Sequence, residues 1–450
     1  MRSWLGRRLR EQVTRAPAEQ SLDRGVALFQ LAADRTWRHR RIDSIRLEDG
    51  DQGRWSTTLD CTVPDDPRLR WQDSPLVAVP MALLAKGAMR GFDIRDASGQ
   101  PLSVLRLDEG VDLSLDLLRF LIVQLDQIPF TPELEVALRE ILGPNHPDSE
   151  ELLTFLDEGT LDGVQAIAPE HVNRLSGVTQ RFLLDLNLNF YLYVLVDQET
   201  CGQRQIVKFS RSWIQRGMAT GRRHLFQAGF GTKAAVVKFK TTPRDAESYH
   251  LQVHMPPGLR AESLTLLLPQ DSMTEDFGGG SVAHVRCSTP ASLYAGTPFG
   301  AELVVSMNDR GLARQASVLS VAAFLFFLAS FVFPGAMQTM RESKDSAALL
   351  LAIPAALAVF TLGAREHPLK TQMLVAPRAA IALSAGALVL AATSLTWELR
   401  DLWFPIYWTL SLAATGACAW LTLQGERSRR RRWRQTTTVS FQQPQGGPDE

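Results

Sequence analysis

Four uncharged apolar runs in the last third of the chain constrain its fold more than any other feature. Crossing about 30 Å of hydrocarbon takes roughly 20 apolar residues in a helix. Residues 316–334 (ASVLSVAAFLFFLASFVFP), 346–363 (which carry Pro354), 379–397 and 404–423 meet that test, and none has an ionised side chain in its interior. The alternative is a set of core helices in a large water-soluble protein. Four such runs in succession, joined by short polar loops, instead read as an all-α bundle of four transmembrane helices.

The charges beside the runs set the orientation, because Lys and Arg near span ends stay on the cytoplasmic side. The first loop balances Arg341 and Lys344 against Glu342 and Asp345, and the third balances Arg400 against Glu398 and Asp401. The middle loop sets Arg365, Lys370 and Arg378 against Glu366 alone. After the last run come Arg427, Arg429, Arg430, Arg431, Arg432 and Arg434. That block resists translocation, and it can also grip anionic inner-leaflet lipid at about 1 kcal/mol per residue near the surface. These six arginines are the residues nominated for membrane-surface contact. The consistent topology keeps the middle loop and the C-terminus inside, and four spans then keep the N-terminus inside. The opening MRSWLGRRLREQV has charge but no apolar stretch, so it does not read as a secretory signal.

Residues 1–312 then form a cytoplasmic region. Over the whole chain of 450 residues, 48 basic and 48 acidic groups cancel, and the apolar share is 45%. This excludes a disordered chain, and it offers no basic excess of the kind nucleic-acid binding favours. Cys61, Cys201 and Cys287 are scattered without a paired spacing, and Cys418 lies in a span, as expected in a reducing compartment.

The fold class expected for this region is α+β. Residues 1–35 read as a basic helical segment, with Trp4, Leu5, Leu9 and Val13 near helical spacing, and a second helix over 22–34. Residues 36–110 read as a small β-rich unit of about five strands, including WSTTLDCTV, PLVAVPMALL and PLSVLRLD, with a turn at Asp96–Gly99. Residues 111–188 read as helices, with starts at Thr131–Pro132 and Ala168–Pro169. Residues 189–312 read as an antiparallel β-sandwich built from segments such as NFYLYVLVD, HLFQAGF, SYHLQVHMP and GAELVVSM. Residues 313–424 form the transmembrane domain, and 425–450 a basic, then disordered, tail.

Chemistry-bearing motifs are sparse. His250 and His254 share one face of an expected strand, and His284 and Cys287 lie on another, but no further ligand spacing completes a zinc site. Gly278–Gly280 precede a strand rather than a helix and read as a hairpin loop, not a phosphate loop. No catalytic residue, metal ligand or cofactor is therefore nominated. Within the runs the polar residues are Ser and Thr, among them Ser330, Ser384, Thr393, Thr409, Ser411 and Thr415, which suit helix–helix hydrogen bonds. Ala382 and Gly386, four apart, permit close packing.

Several stretches resemble an uncharacterised group of actinobacterial multi-pass membrane proteins: PLVAVPMALLAKGAMRGFDIRDASGQPL, IVKFS, SYHLQVHMPPGL and SAALLLAIPAALAVFTLGAREHPLKTQML. The resemblance implies a β-rich cytoplasmic region on a small helical bundle, and no activity. The expected function is a membrane-anchored cytoplasmic sensing or interaction module, with the β domain binding a protein or small ligand and the bundle able to self-associate. A channel or transporter subunit gated by the soluble region is the second reading. An enzyme on a cytosolic or lipid substrate is the third.

Overall fold

The computed structural model describes residues 18–34, 36–47, 52–72, 74–87, 90–144, 147–214, 235–241, 246–267, 272–288, 299–307, 310–333, 335, 368–396 and 403–439. Residues 1–17 of the N-terminal basic segment, the HLFQAGF strand and the apolar run 346–363 lie outside them.

In chain order the elements are α1 (Ala18–Ala33), β1 (Arg38–Leu47), β2 (Gln52–Thr62), β3 (Leu76–Ala85), β4 (Arg90–Arg95), α2 (Leu107–Phe120) and α3 (Pro132–Leu142). Then come α4 (Ser149–Glu158), the two-residue strands β5 (Thr160–Leu161) and β6 (Val164–Gln165), α5 (Pro169–Val172), α6 (Gly177–Leu188), β7 (Asn189–Asp197) and β8 (Arg204–Ile214). β9 (Ala235–Thr241), β10 (Ser248–His254), β11 (Leu259–Leu267), β12 (Ser272–Gly280), β13 (Val282–Ser288) and β14 (Phe299–Met307) follow. The chain ends in the long helices α7 (Arg310–Val332), α8 (Pro368–Thr396) and α9 (Trp403–Val439).

Local chemistry explains the helix ends. The Thr131 hydroxyl accepts from the Leu134 N–H at 3.2 Å, with Pro132 as first helical residue. Gly159 ends α4 at φ 75°, a conformation that glycine adopts without strain. Asp96–Gly99 forms the expected turn, with Gly99 at φ 86°.

The two β segments do not fold apart. A six-stranded sheet runs β13-β10-β1-β2-β8-β4, so strands from both segments alternate within it. Nor is it all antiparallel: β1 pairs β10 in parallel, Ile42 beside His250, although some two hundred residues separate them in the chain. A four-stranded sheet runs β12-β11-β14-β9, and β3 pairs β7 separately. The expected strand PLSVLRLD is not one. Only single bridges form at Pro101 and Val104, because proline lacks the N–H a ladder needs, and α2 begins at Leu107. Gly278–Gly280 belong to β12 rather than to a loop. Ser263 pairs Asp276 while Ala261 pairs Gly280, so the glycine segment forms a bulge.

Two cores cover the two ends of one face of the large sheet. The first packs α1, α2, α3, α4 and α6 against β3, β7 and the β2–β8 end of the sheet, through residues such as Leu28, Leu59, Leu117, Phe155 and Val207. The second joins the four-stranded sheet to the β1–β10–β13 end, through Ile45, Leu251, Val285, Leu264 and Leu303. Met373 and Leu374 of α8 belong to this second core.

Among the described residues, three helices are long and apolar enough to cross a bilayer: Ala313–Val332, Met373–Ala391 and Pro405–Gly425. Their outward residues include Val318, Leu325, Phe331, Leu383, Leu410 and Trp420, as a lipid-facing surface requires. Nearer the β domain, Ala316 packs with Ala376, Ala380 and Cys418. At the far end, Phe327 packs with Leu388, Ala391 and Trp408. These pairings make α7 and α8 parallel and α9 antiparallel to both. Ser320 and Ser384 hydrogen bond across α7 and α8 at 3.0 Å, and the Thr415 hydroxyl donates to the Ser411 carbonyl of its own helix at 2.7 Å. The segment expected as a loose tail continues α9 as helix to Val439, since arginine is a good helix former and no proline intervenes.

Candidate functional site

A cavity of about 400 Å³ opens between the N-terminal half of α2, the end of α3 and strand β7. Its walls are largely apolar, including Phe92, Val104, Val111, Leu142, Leu186 and Phe190. Gly110 lines the space without a side chain of its own. A Cβ there would lie 3.4 Å from the Tyr193 ring. That is ordinary contact, so Gly110→Ala should narrow the cavity without strain. Helix propensity favours alanine by up to about 1 kcal/mol. Urea unfolding should therefore show Gly110→Ala as stable as the native protein or more so.

The cavity's polar side chains include Lys86, Ser114, Asn189, Tyr193 and Arg106, the last paired with Asp108 at 3.0 Å. Tyr193 is 2% exposed, and its hydroxyl donates to Ser114 Oγ at 3.2 Å while Ser114 donates to the Gly110 carbonyl at 2.8 Å. Burial raises the Tyr193 phenol above its ordinary value, so it serves as a neutral donor, not a base. Lys86, just past the end of β3, donates from Nζ to the Ile141 carbonyl at 2.6 Å, at the last turn of α3. Among the described residues no carboxylate pairs with it. Burial pushes its ammonium down to about 8.

That depression carries a sign. Between about pH 8 and the ordinary lysine value the unfolded chain holds the proton more tightly, so the lysine's stability penalty, full below pH 8, fades as pH rises through this window. The stability of the native protein relative to Lys86→Met should therefore increase from pH 7 to pH 10. Paired urea titrations at the two pH values measure it, and an unchanged difference would sink the assignment.

A buried polar seam lies on the large sheet between the two cores. Asp43, 0% exposed, accepts from the Thr57 hydroxyl at 2.7 Å, the Tyr249 hydroxyl at 3.0 Å and Arg41 Nε at 3.1 Å. Arg211 sits nearby over the Trp55 ring at 5.8 Å; burial, then the like charge of Arg41, lowers its guanidinium while Asp43 opposes.

The histidines considered as metal ligands come together only in part. His250 Nδ1 and His284 Nε2 lie 3.1 Å apart in stacked rings, so each ring uses a nitrogen on the other. Burial lowers His250, and the neighbouring His284, Arg286 and Arg40 add to it. His254 pairs with Val282 at the strand end, and Cys287 points into the second core. Among the described residues no group of three His, Cys, Asp or Glu side chains is placed to hold a metal. Burial raises Cys61 to about 12, which leaves an inert thiol.

The six nominated arginines follow the last span on the same continuous helix. Arg427 is exposed, two residues past Gly425. At 1.5 Å of rise per residue, Arg427 to Arg434 follow the end of that apolar stretch by about 3–14 Å of helix.

Sequence reasoning missed Lys86 and the Met373–Leu374 contact. Both had a visible signal: a lysine ending a strand apolar on both faces, and the apolar MLVA inside the expected middle loop. No protein-family model matches the chain, and no curated protein sequence is detectably similar to it.

Proposed function

We propose that this is a multi-pass protein of the cell membrane, with both termini cytoplasmic, whose soluble body senses a ligand or partner and passes the bound state to the transmembrane bundle. The observation that carries the reading is the burial of Met373 and Leu374, 1% and 2% exposed, in the core between the sheets. They belong to the helix that enters the bilayer, so any repacking of the β core bears directly on a span. We read the four-stranded sheet and the β1–β10–β13 end as the two layers of a sandwich.

Chain direction supports a fourth crossing. α7 and α8 both leave the β domain in the same sense, so the chain between them has to return. Residues 346–363 have the length and composition for that return. The arginine block then stands on the cytoplasmic side, against anionic inner-leaflet lipid. A protein partner for the outer face of the β domain and self-association of the bundle fit the same arrangement.

Leu374→Ala tests the coupling. Truncating a buried leucine costs about 2–5 kcal/mol. Hydrogen exchange on the protein in lipid nanodiscs should show protection lost in β11 and β14 and, together with them, in the first turns of α8. Loss confined to the sheet would break the proposed link. Sustained ion or solute flux from reconstituted liposomes would replace sensing with transport.

A further inference from the structure

We infer that the cavity beside α2 and β7 binds a single-chain amphiphile with an anionic head, the head paired with Lys86 and the tail along the apolar wall. Lys86 carries a charge that no carboxylate among the described residues balances. The Lys86 ammonium has three donors, and the Ile141 carbonyl takes one of them. A helix-end carbonyl carries only a partial negative charge, so it orients the ammonium without neutralising it. With no carboxylate paired to it among the described residues, the half-buried ammonium is open to a counter-charge from outside.

The rest of the wall selects the body of the ligand. Val104, Val111, Leu142 and Phe190 offer dispersion contacts and no hydrogen bonds from their side chains. The buried Tyr193 and Ser114 hydroxyls satisfy each other and the Gly110 carbonyl, so they do not call for a polar tail. Size then limits the choice. At about 30 Å³ per water-sized group, a cavity of about 400 Å³ takes roughly a dozen non-hydrogen atoms. That fits a medium-chain carboxylate such as decanoate and excludes a two-chain phospholipid. Lys86 also ends α3 as a cap, and that structural role alone would predict no preference for anions.

This inference rests on the reading of the soluble body as a sensor, yet it fails separately from it. The test uses the full chain in phosphatidylcholine nanodiscs at pH 7, with radiolabelled decanoate in equilibrium dialysis and empty nanodiscs as background. Saturable binding near one decanoate per chain is expected, with decanol at least tenfold weaker. Lys86→Met should weaken decanoate at least tenfold and leave decanol unchanged, and Lys86→Arg should restore the preference. Val111→Trp should block both compounds while the thermal midpoint shows the variant folded. Absence of saturable decanoate binding, or equal binding by native protein and Lys86→Met, would overturn the inference. Displacement of decanoate when phosphatidylglycerol replaces phosphatidylcholine would overturn the single-chain assignment. Binding as expected with no change in hydrogen exchange across α8 would sustain the ligand class and sink the coupling to the bundle.

Discussion

Asp43→Ala is expected to cost about 3–5 kcal/mol of folding stability, because it takes the carboxylate away from a buried cation. The carboxylate sits between β10, β1 and β2 with no solvent exposure, and the Arg41 Nε, Thr57 and Tyr249 donors converge on it. Removing it leaves Arg41, itself buried, without that carboxylate and leaves two hydroxyls short of an acceptor. Tyr249→Phe removes one hydrogen bond to a charged group and should cost about 1.5–3 kcal/mol. Urea unfolding of the full protein in detergent measures both. The double variant should lose less than the sum, because the residues share one network. A cost under about 1 kcal/mol for Asp43→Ala would mean that water reaches the seam.

Gly25→Ala should destabilise the protein although alanine is the better helix former. Propensity favours the change by about 1 kcal/mol. Packing opposes it: the new Cβ would meet the Asp116 carbonyl oxygen, as well as the Phe120 Cβ at 2.8 Å. A backbone oxygen in the middle of α2 cannot swing aside as a side-chain tip can. The helices would have to separate, straining the contacts by which Ser21 and Arg24 of α1 bond the Asp116 carboxylate. Overpacking of this kind costs about 1–3 kcal/mol or more, so the net change is a loss. Gly110→Ala is the matched control, since the same methyl there meets nothing closer than 3.4 Å. If the two substitutions shift the urea midpoint equally, close packing of α1 on α2 is not the reason for glycine at position 25.

Local elements were legible where one physical signal dominated. In β10 the alternation of SYHLQVH matches its alternating burial, and Thr131 followed by proline marks the start of α3. The expectation failed where a local pattern met a competing partner. PLSVLRLD alternates like a strand, but its proline breaks the ladder and its end is drawn into α2. Gly278–Gly280 look like a loop, but pairing with β11 absorbs them as a bulge. The arginines nominated after the last apolar run lie on a helix that runs further than expected. His250 and His284 were legible as residues on two strands of one domain, but neither the pairing of those strands nor the mutual contact was.

Hydropathy and chain length were enough to mark three of the apolar runs as bilayer-length helices, because the cost of hydrocarbon burial is a sum over consecutive residues. Tertiary structure alone decided that β1 lies beside β10, that a cavity opens next to Lys86, and that Met373 and Leu374 reach into the β core. Those outcomes depend on which distant residues meet. Periodicity and propensity are local free energies, whereas the pairing of a charge or the filling of a void is set by neighbours far away in the chain.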